Sequence, residues 1–295
     1  MPDNYAHKYN GQQALKLADY TPRNYEAFIL GCNGPDPLYC YQMYETKRRH
    51  NLYDLADRMH RERTGLFLQN LFTLAQTNAQ KDYCLGFLCH YALDSVMHPY
   101  INYITTAYAS PFNRENGHQW FESALDSAIA FHETGSRAAN PAEYCPYTRR
   151  MYIEQIVTLF KQAVEATYED VHYDRNEYTT AFHDFRKVKN WLYSPTENKA
   201  FIARPTEMLL GLEKGMVASR IQPCKLEITD VAVWRDNVTG FFRTDTIQDL
   251  MHRANQMAAD YINVGLSFFH GTYNVYDLLE DIGNKSYLTG FALEE

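Results

Sequence analysis

The sequence predicts an all-α protein, and three observations carry that reading. Gly (14) and Pro (11) are scarce among 295 residues, together about 8% against the roughly 12% of average usage. Apolar residues recur at three- and four-residue steps over most of the chain, the spacing of a helix face. Only one segment, Lys225–Trp234, alternates apolar and polar residues as a short strand does.

The elements follow in order. Residues 11–19, 43–58 and 61–78 read as helices; in the third, Leu66, Phe67, Asn70, Leu71 and Leu74 fall on one side. Residues 81–104 are apolar on every face, which predicts a buried helix. Residues 115–132 place Trp120, Phe121, Ala124, Leu125 and Ala128 together, and residues 149–170 do the same with Ile153, Ile156, Val157, Phe160, Val164 and Tyr168. Residues 200–217 and 244–269 complete the set. Breaks fall at Gly31–Pro37, Ser110–Gly117, Gly135–Tyr147, Ser194–Thr196 and Arg220–Gly240. No internal repeat or low-complexity linker divides the chain. Residues 1–295 therefore read as one compact all-α domain, with its motifs in 5–125 and a helical C-terminal part over 126–295.

Composition narrows the function. A 45% hydrophobic, 22% charged chain excludes global disorder. A net charge of −8 offers no broad basic surface for duplex nucleic acid. No stretch approaches the 18 apolar residues of a membrane span. Met1-Pro2-Asp3-Asn4-Tyr5-Ala6-His7 has neither the basic nor the apolar region of a signal peptide, so the expected location is cytoplasmic. Six Cys without a C-x-x-C pair argue against zinc ribbons and thioredoxin chemistry, and predict reduced, buried thiols. Asn237-Val-Thr and Asn284-Lys-Ser match the glycosylation pattern by chance.

The chemistry concentrates in Leu85-Gly-Phe-Leu-Cys-His-Tyr-Ala-Leu-Asp-Ser-Val-Met-His-Pro99. His90, Asp94 and His98 stand at i, i+4 and i+8, one stripe of a helix. Burying them unpaired is costly, so a partner must satisfy them. A second i, i+4 pair, His118 and Glu122, follows in Gly117-His-Gln-Trp-Phe-Glu122. Upstream, Gly31-Cys-Asn-Gly-Pro-Asp36-Pro37 is a rigid turn presenting one carboxylate between two prolines. Met59-His60 opens the helix that follows it, and His7 lies near the start of the first helix. A lone helical His is more often a core residue, and a lone His/carboxylate pair a surface ion pair. Together, two chelating pairs, a third His and a constrained Asp are a donor set suited to zinc.

Other signals are weaker. Glu169-x-x-His172 has di-iron spacing, but that architecture needs two such pairs. The His183-Asp184 doublet is expected about once by chance. His50, His132, His252 and His270 carry no partner pattern. There is no phosphate-binding Gly loop and no G-x-S-x-G elbow. Tyr39, Tyr100, Tyr103, Tyr108 and Phe112 flank the candidate ligands as possible pocket walls, while most Tyr and Phe read as core.

On Tyr5-Ala-His7, Gly34-Pro-Asp36-Pro, Met59-His60, His90-x-x-x-Asp94-x-x-x-His98-Pro and His118-x-x-x-Glu122, the chain resembles the zinc-dependent phospholipase C family. That family shares its fold with the S1/P1 nucleases, and the likeness is greatest to its non-secreted bacterial branch. Beyond residue 125 the likeness rests on Trp234 and the Asn284-Lys-Ser-Tyr-Leu-Thr-Gly290 ending. The resemblance implies an all-α fold and a zinc centre. One zinc would take Asp36, His60, His90 and Asp94, and a second His98, His118 and Glu122. A third would share Asp94 and take His7. His50, amid Lys47-Arg48-Arg49, is the alternative to His60. Secreted relatives complete the third site with an N-terminal Trp, absent here, for which a Pro2 amine would have to substitute. The Asp94–His98 gap is also shorter than theirs.

The resemblance further implies phosphodiester hydrolysis. A zinc-activated hydroxide would attack phosphorus, with Asp36 orienting or deprotonating the water. The implied substrate is a small phosphodiester or a phospholipid head group. Two other readings stay open at this point: a single-strand nuclease with a stacking slot and basic path, and a non-catalytic metal-stabilised module with closed sites. Two Zn²⁺ would move the formal charge from −8 to −4 and three to −2, which weakens the electrostatic case against an anionic substrate.

Overall fold

A computed structural model describes residues 4–45, 50–107, 109–146 and 148–293, with the side chains of Ala200 and Leu210 excepted. Among these residues the chain forms α1 (Asn4–Leu17), α2 (Tyr25–Gly31), α3 (Leu52–Arg61), α4 (Thr64–Leu74), α5 (Asn78–Thr106) and α6 (Gly117–Thr134). There follow α7 (Pro141–Tyr144), α8 (Arg150–Thr167), α9 (Arg175–Leu192), α10 (Asn198–Leu210), α11 (Ile247–Phe269) and α12 (Val275–Ile282). Two short strands, β1 (Trp234–Arg235) and β2 (Phe242–Arg243), pair antiparallel. The fold is all-α, as the scarcity of breakers and the apolar periodicity predict.

Helix α5 is the axis. Thr77 starts it with a capping box: its hydroxyl accepts from Gln80 N, while Gln80 Oε1 accepts from Thr77 N at 3.0 Å. Its first half, Tyr83 to Ala92, lies in a core with Phe67, Leu71, Phe160 and Val164. Its second half, Leu93 to Ile104, lies in another with Phe121, Leu125, Trp234 and Leu250. Asp94 falls where the two cores meet. Helices α2 and α5 touch backbone to backbone: a Cβ on Gly86 would lie 2.0 Å from Phe28 O, and one on Gly31 would lie 2.1 Å from Tyr83 O. That approach sets the Gly31–Pro37 turn directly over α5.

Several boundaries depart from the sequence reading, each for a tertiary reason. Helix α1 begins at Asn4 rather than residue 11. Its polar start is held from outside, because Asp126 of α6 accepts from Tyr5 N at 2.9 Å and Ala6 N at 2.7 Å. The helix expected over 43–58 starts only at Leu52; Thr46 to Arg49 lie outside the described residues. The one expected over 61–78 is interrupted at Arg63, which adopts the left-handed conformation (φ 52°). Helices α2, α7, α9 and α12 lie outside the periodic segments named above. Helix α9 has a buried stripe of Tyr178, Ala181, Phe182, Phe185 and Val188, but charged residues crowd its other faces. Helix α10 stops at Gly211 (φ 65°), short of the expected residue 217. The strand expected over Lys225–Trp234 reduces to Trp234–Arg235. Trp234 is buried there against Tyr100, which accounts for the apolar signal without a longer strand.

Candidate metal centre

The i, i+4, i+8 stripe of α5 supplies the frame. His90, Asp94 and His98 are fully buried, which a helix apolar on all sides enforces. Asp94 Oδ2 lies 3.1 Å from His90 Nε2 and 3.6 Å from His60 Nε2, and its Oδ1 lies 3.3 Å from His7 Nε2. The Gly31–Pro37 turn brings Asp36 to the same point: its Oδ1 is 3.7 Å from His60 Nε2 and 3.8 Å from His90 Nε2. Gly34 makes room for this. It has φ 51°, and a Cβ there would meet the His90 ring at 2.3 Å. The rings of His7 and His90 stack, with centroids 4.1 Å apart.

Helix α6 adds a second group. Glu122 Oε1 is 2.7 Å from His118 Nε2 and 4.0 Å from His98 Nε2. His118 is the exposed member, its side chain 35% accessible, whereas His98 and Glu122 are buried. The shorter Asp94–His98 spacing leaves this group assembled.

The second nitrogen of three imidazoles meets a backbone carbonyl. His60 Nδ1 is 2.6 Å from Ala56 O, His90 Nδ1 is 3.3 Å from Cys32 O, and His98 Nδ1 is 2.9 Å from Tyr287 O. A carbonyl only accepts, so in a neutral ring each Nδ1 carries the hydrogen and each Nε2 offers a lone pair. Burial is the main influence on His98 and lowers it to about 3 against the pull of Asp94. Burial likewise lowers His7, helped by nearby His90, and lowers His118. For His90 the burial effect is outweighed by Asp94 and Asp36, which raise it. Asp94 resists burial and is held well below the usual range by His90 and His98.

These atoms are poorly satisfied by one another. Both oxygens of Asp94, both nitrogens of His7, Asp36 Oδ1 and the Nε2 atoms of His60, His90 and His98 are buried without a hydrogen bond among the described residues. Their mutual contacts lack hydrogen-bond geometry. Among the described residues three donor groups are compact enough for a cation: His7, Asp36 and His90; His60, His90 and Asp94; His98, His118 and Glu122. Imidazole and carboxylate donors of this number and burial fit zinc.

The other candidates lie elsewhere. His50 Nδ1 is 2.6 Å from Glu177 Oε1 and its ring stacks on Tyr173, so it faces α9 rather than the cluster. Glu169, His172, His183, His132, His252 and His270 are exposed. Asp184 serves the 40–45 loop, accepting from Gln42 N and Tyr44 Oη. Of the expected pocket walls, Tyr39 borders the cluster, its hydroxyl 3.5 Å from His60 Nδ1. Tyr100, Tyr103 and Phe112 instead pack on Trp234 and Phe121 in the core. Tyr108, Lys47 to Arg49 and Pro2 lie outside the described residues. A cavity of about 860 Å³ bordered by Arg61, Arg63, Leu279 and Asn284 holds none of the donors, so donor chemistry rather than concavity marks the site.

Sequence reasoning misses three contributors. Asp126 continues the His118/Glu122 stripe by one more turn and anchors the helix that carries His7; its i+4 spacing from Glu122 is the signal. Asn4 steadies Asp36, donating Nδ2 to Oδ2 at 3.3 Å. Tyr287 lies in the Asn284–Gly290 ending that carries the resemblance, but nothing local marks it as a partner of His98, nearly 190 residues earlier.

The six cysteines are buried and form no disulfide. No helix among the described residues is long and apolar enough to cross a membrane. A family model described as zinc dependent phospholipase C matches residues 6–197. No curated protein and no solved structure matches the chain.

Proposed function

Because the chain belongs to the zinc-dependent phospholipase C family, a family of hydrolases, we propose that it hydrolyses a phosphodiester at this buried centre. The observation that carries the reading is the set of unsatisfied buried donors converging on Asp94. Burying such atoms uncompensated is costly, and breaking any buried charge pair leaves the remainder stranded. Cations relieve that cost.

Asp36, His60, His90 and Asp94 would hold one zinc, and His98, His118 and Glu122 a second. His7 together with Asp94 would hold a third. Bound zinc supplies Lewis acidity at the phosphoryl oxygens and a nucleophile from water at neutral pH. The chain's own residues do the rest. Asp36 is the catalytic carboxylate: Asn4 donates to its Oδ2, and the carboxylate so held would orient the attacking water. The Nδ1 carbonyl partners hold His60, His90 and His98 with Nε2 inward. Apolar walls from both cores keep bulk water away and strengthen every charge interaction inside. His118 is the donor open to solvent, so substrate enters past the start of α6.

The substrate is a phospholipid head group or a small phosphodiester. The unit that acts includes α11 and the 284–293 segment, which pack on the helix that carries His90, Asp94 and His98. Buried cysteines without disulfides fit a reducing compartment such as a bacterial cytoplasm.

Zinc counted by metal analysis, alongside hydrolysis of a p-nitrophenyl phosphodiester, tests this. At least two zincs per chain are expected. Asp36→Asn is expected to cut the rate about 10²–10⁴-fold while the His98 group keeps its zinc. Full activity in a His90→Ala, Asp94→Ala double variant would sink the proposal.

A further inference from the structure

The C-terminal residues form a small hairpin that closes over the centre. Lys285 and Ala292 pair as an antiparallel bridge. Ser286 N donates to Phe291 O, and Gly290 N to Ser286 O, each at 2.8 Å. The foot is tied down by Asn284, whose Oδ1 accepts from Thr64 Oγ1 and Gly65 N, each at 2.9 Å.

The apex lies on the metal-site residues themselves. Tyr287 N donates to His60 O at 2.9 Å, and Tyr287 O accepts from His98 Nδ1 at 2.9 Å. Asn102 Nδ2 donates to Leu288 O at 3.1 Å. The Tyr287 ring is buried, with centroids 5.2 Å from His60 and 5.8 Å from His90.

The docking place is written into α5. Pro99 has no N–H, so the carbonyl of Ser95 lacks its helical donor. Gly290 seats on that carbonyl: a Cβ there would lie 2.2 Å from Ser95 O, and its φ of 71° also favours glycine.

Three carbonyls hold the three imidazoles. Ala56 O lies one turn before His60 on the same helix, and Cys32 O reaches His90 from the end of α2, at the start of the Gly31–Pro37 turn. His98 takes its partner from the 284–293 hairpin, sharing its Nδ1 between Asp94 O of its own helix and Tyr287 O, 189 residues on. Resting on the zinc-centre reading, we propose that Tyr287 is a positioning residue of the centre. Its backbone aims His98 Nε2 at Glu122, so hairpin docking and metal binding at His98, His118 and Glu122 favour each other. Such coupling is reciprocal: whatever factor the docked hairpin gives to metal affinity, bound metal returns to docking.

Hydrogen–deuterium exchange on the unchanged chain, metal-free and with zinc added, tests this directly. Zinc is expected to slow exchange at Tyr287 and Gly290 at least about tenfold more than in the buried parts of α8 and α9, on the scale of outer-shell contributions to metal affinity. Equal gains everywhere, or none at the hairpin, overturn the proposal. Zinc and cobalt titration of Gly290→Ala gives a second measure. Its affinity at the His98 group is expected to fall about 10–100-fold, with a changed cobalt absorption spectrum. Undiminished affinity in Gly290→Ala overturns the proposal. If the unchanged chain takes up no zinc at all, the zinc-centre reading itself has failed, a result distinct from zinc binding without coupling.

Discussion

Asp94 and His90 sit one turn apart on α5, and Oδ2 of the first lies 3.1 Å from Nε2 of the second. The same carboxylate turns its other oxygen to His7, 3.3 Å away. One side chain thus joins α1, α3 and α5 through His7, His60 and His90. Asp94→Asn keeps the shape and removes the charge. It is expected to release more zinc than His118→Ala, which touches only the α6 group. Metal analysis of the two purified variants checks the ranking; equal losses would contradict the shared role of Asp94.

Asp126 holds the start of α1 by two backbone N–H groups. Asp126→Ala is expected to lower stability by about 1–2 kcal/mol, the worth of a strong helix cap. It should also weaken zinc binding, because His7 lies in the first turns of that helix. Urea denaturation and zinc titration measure the two effects. Lost stability with unchanged zinc binding would separate the cap from the centre.

Gly34 lies against the His90 ring, and the added Cβ of Gly34→Ala would overlap it. The ring or the turn must give way, at a cost of about 1–3 kcal/mol for an overpacked interior. The expected outcome is a folded chain with depleted zinc. Circular dichroism with metal analysis checks it; a normal zinc content would show that the turn shifts freely.

Metal removal is expected to destabilise the whole chain, since the donors lie where the two cores of α5 meet. Zinc binding to the folded form alone contributes about 3 kcal/mol at a concentration a hundred times its Kd. A chelator should therefore lower Tm, and added zinc should restore it. An unchanged Tm would mean that the donors are satisfied without a cation.

The candidate site was legible where helical spacing turns sequence into geometry. His90, Asp94 and His98, and likewise His118 and Glu122, share stripes because residues four apart on a helix are neighbours. Asp36 stood out through its prolines. The ends of helices were less legible. Helix α1 extends back to Asn4 only because Asp126, more than 120 residues later, accepts its first N–H groups. His50 was the sequence alternative to His60, and the packing turns His50 to Glu177 and His60 to Asp94.

By itself the sequence determined the helical class, the absence of long strands and the two chelating stripes, because each is a matter of local periodicity. The tertiary structure decided how many donors meet at Asp94, which nitrogen of His60, His90 and His98 faces inward, and what closes the centre. Those depend on carbonyls at Cys32, Ala56 and Tyr287. Every residue carries a carbonyl, so a sequence cannot say which ones the packing will bring to a histidine.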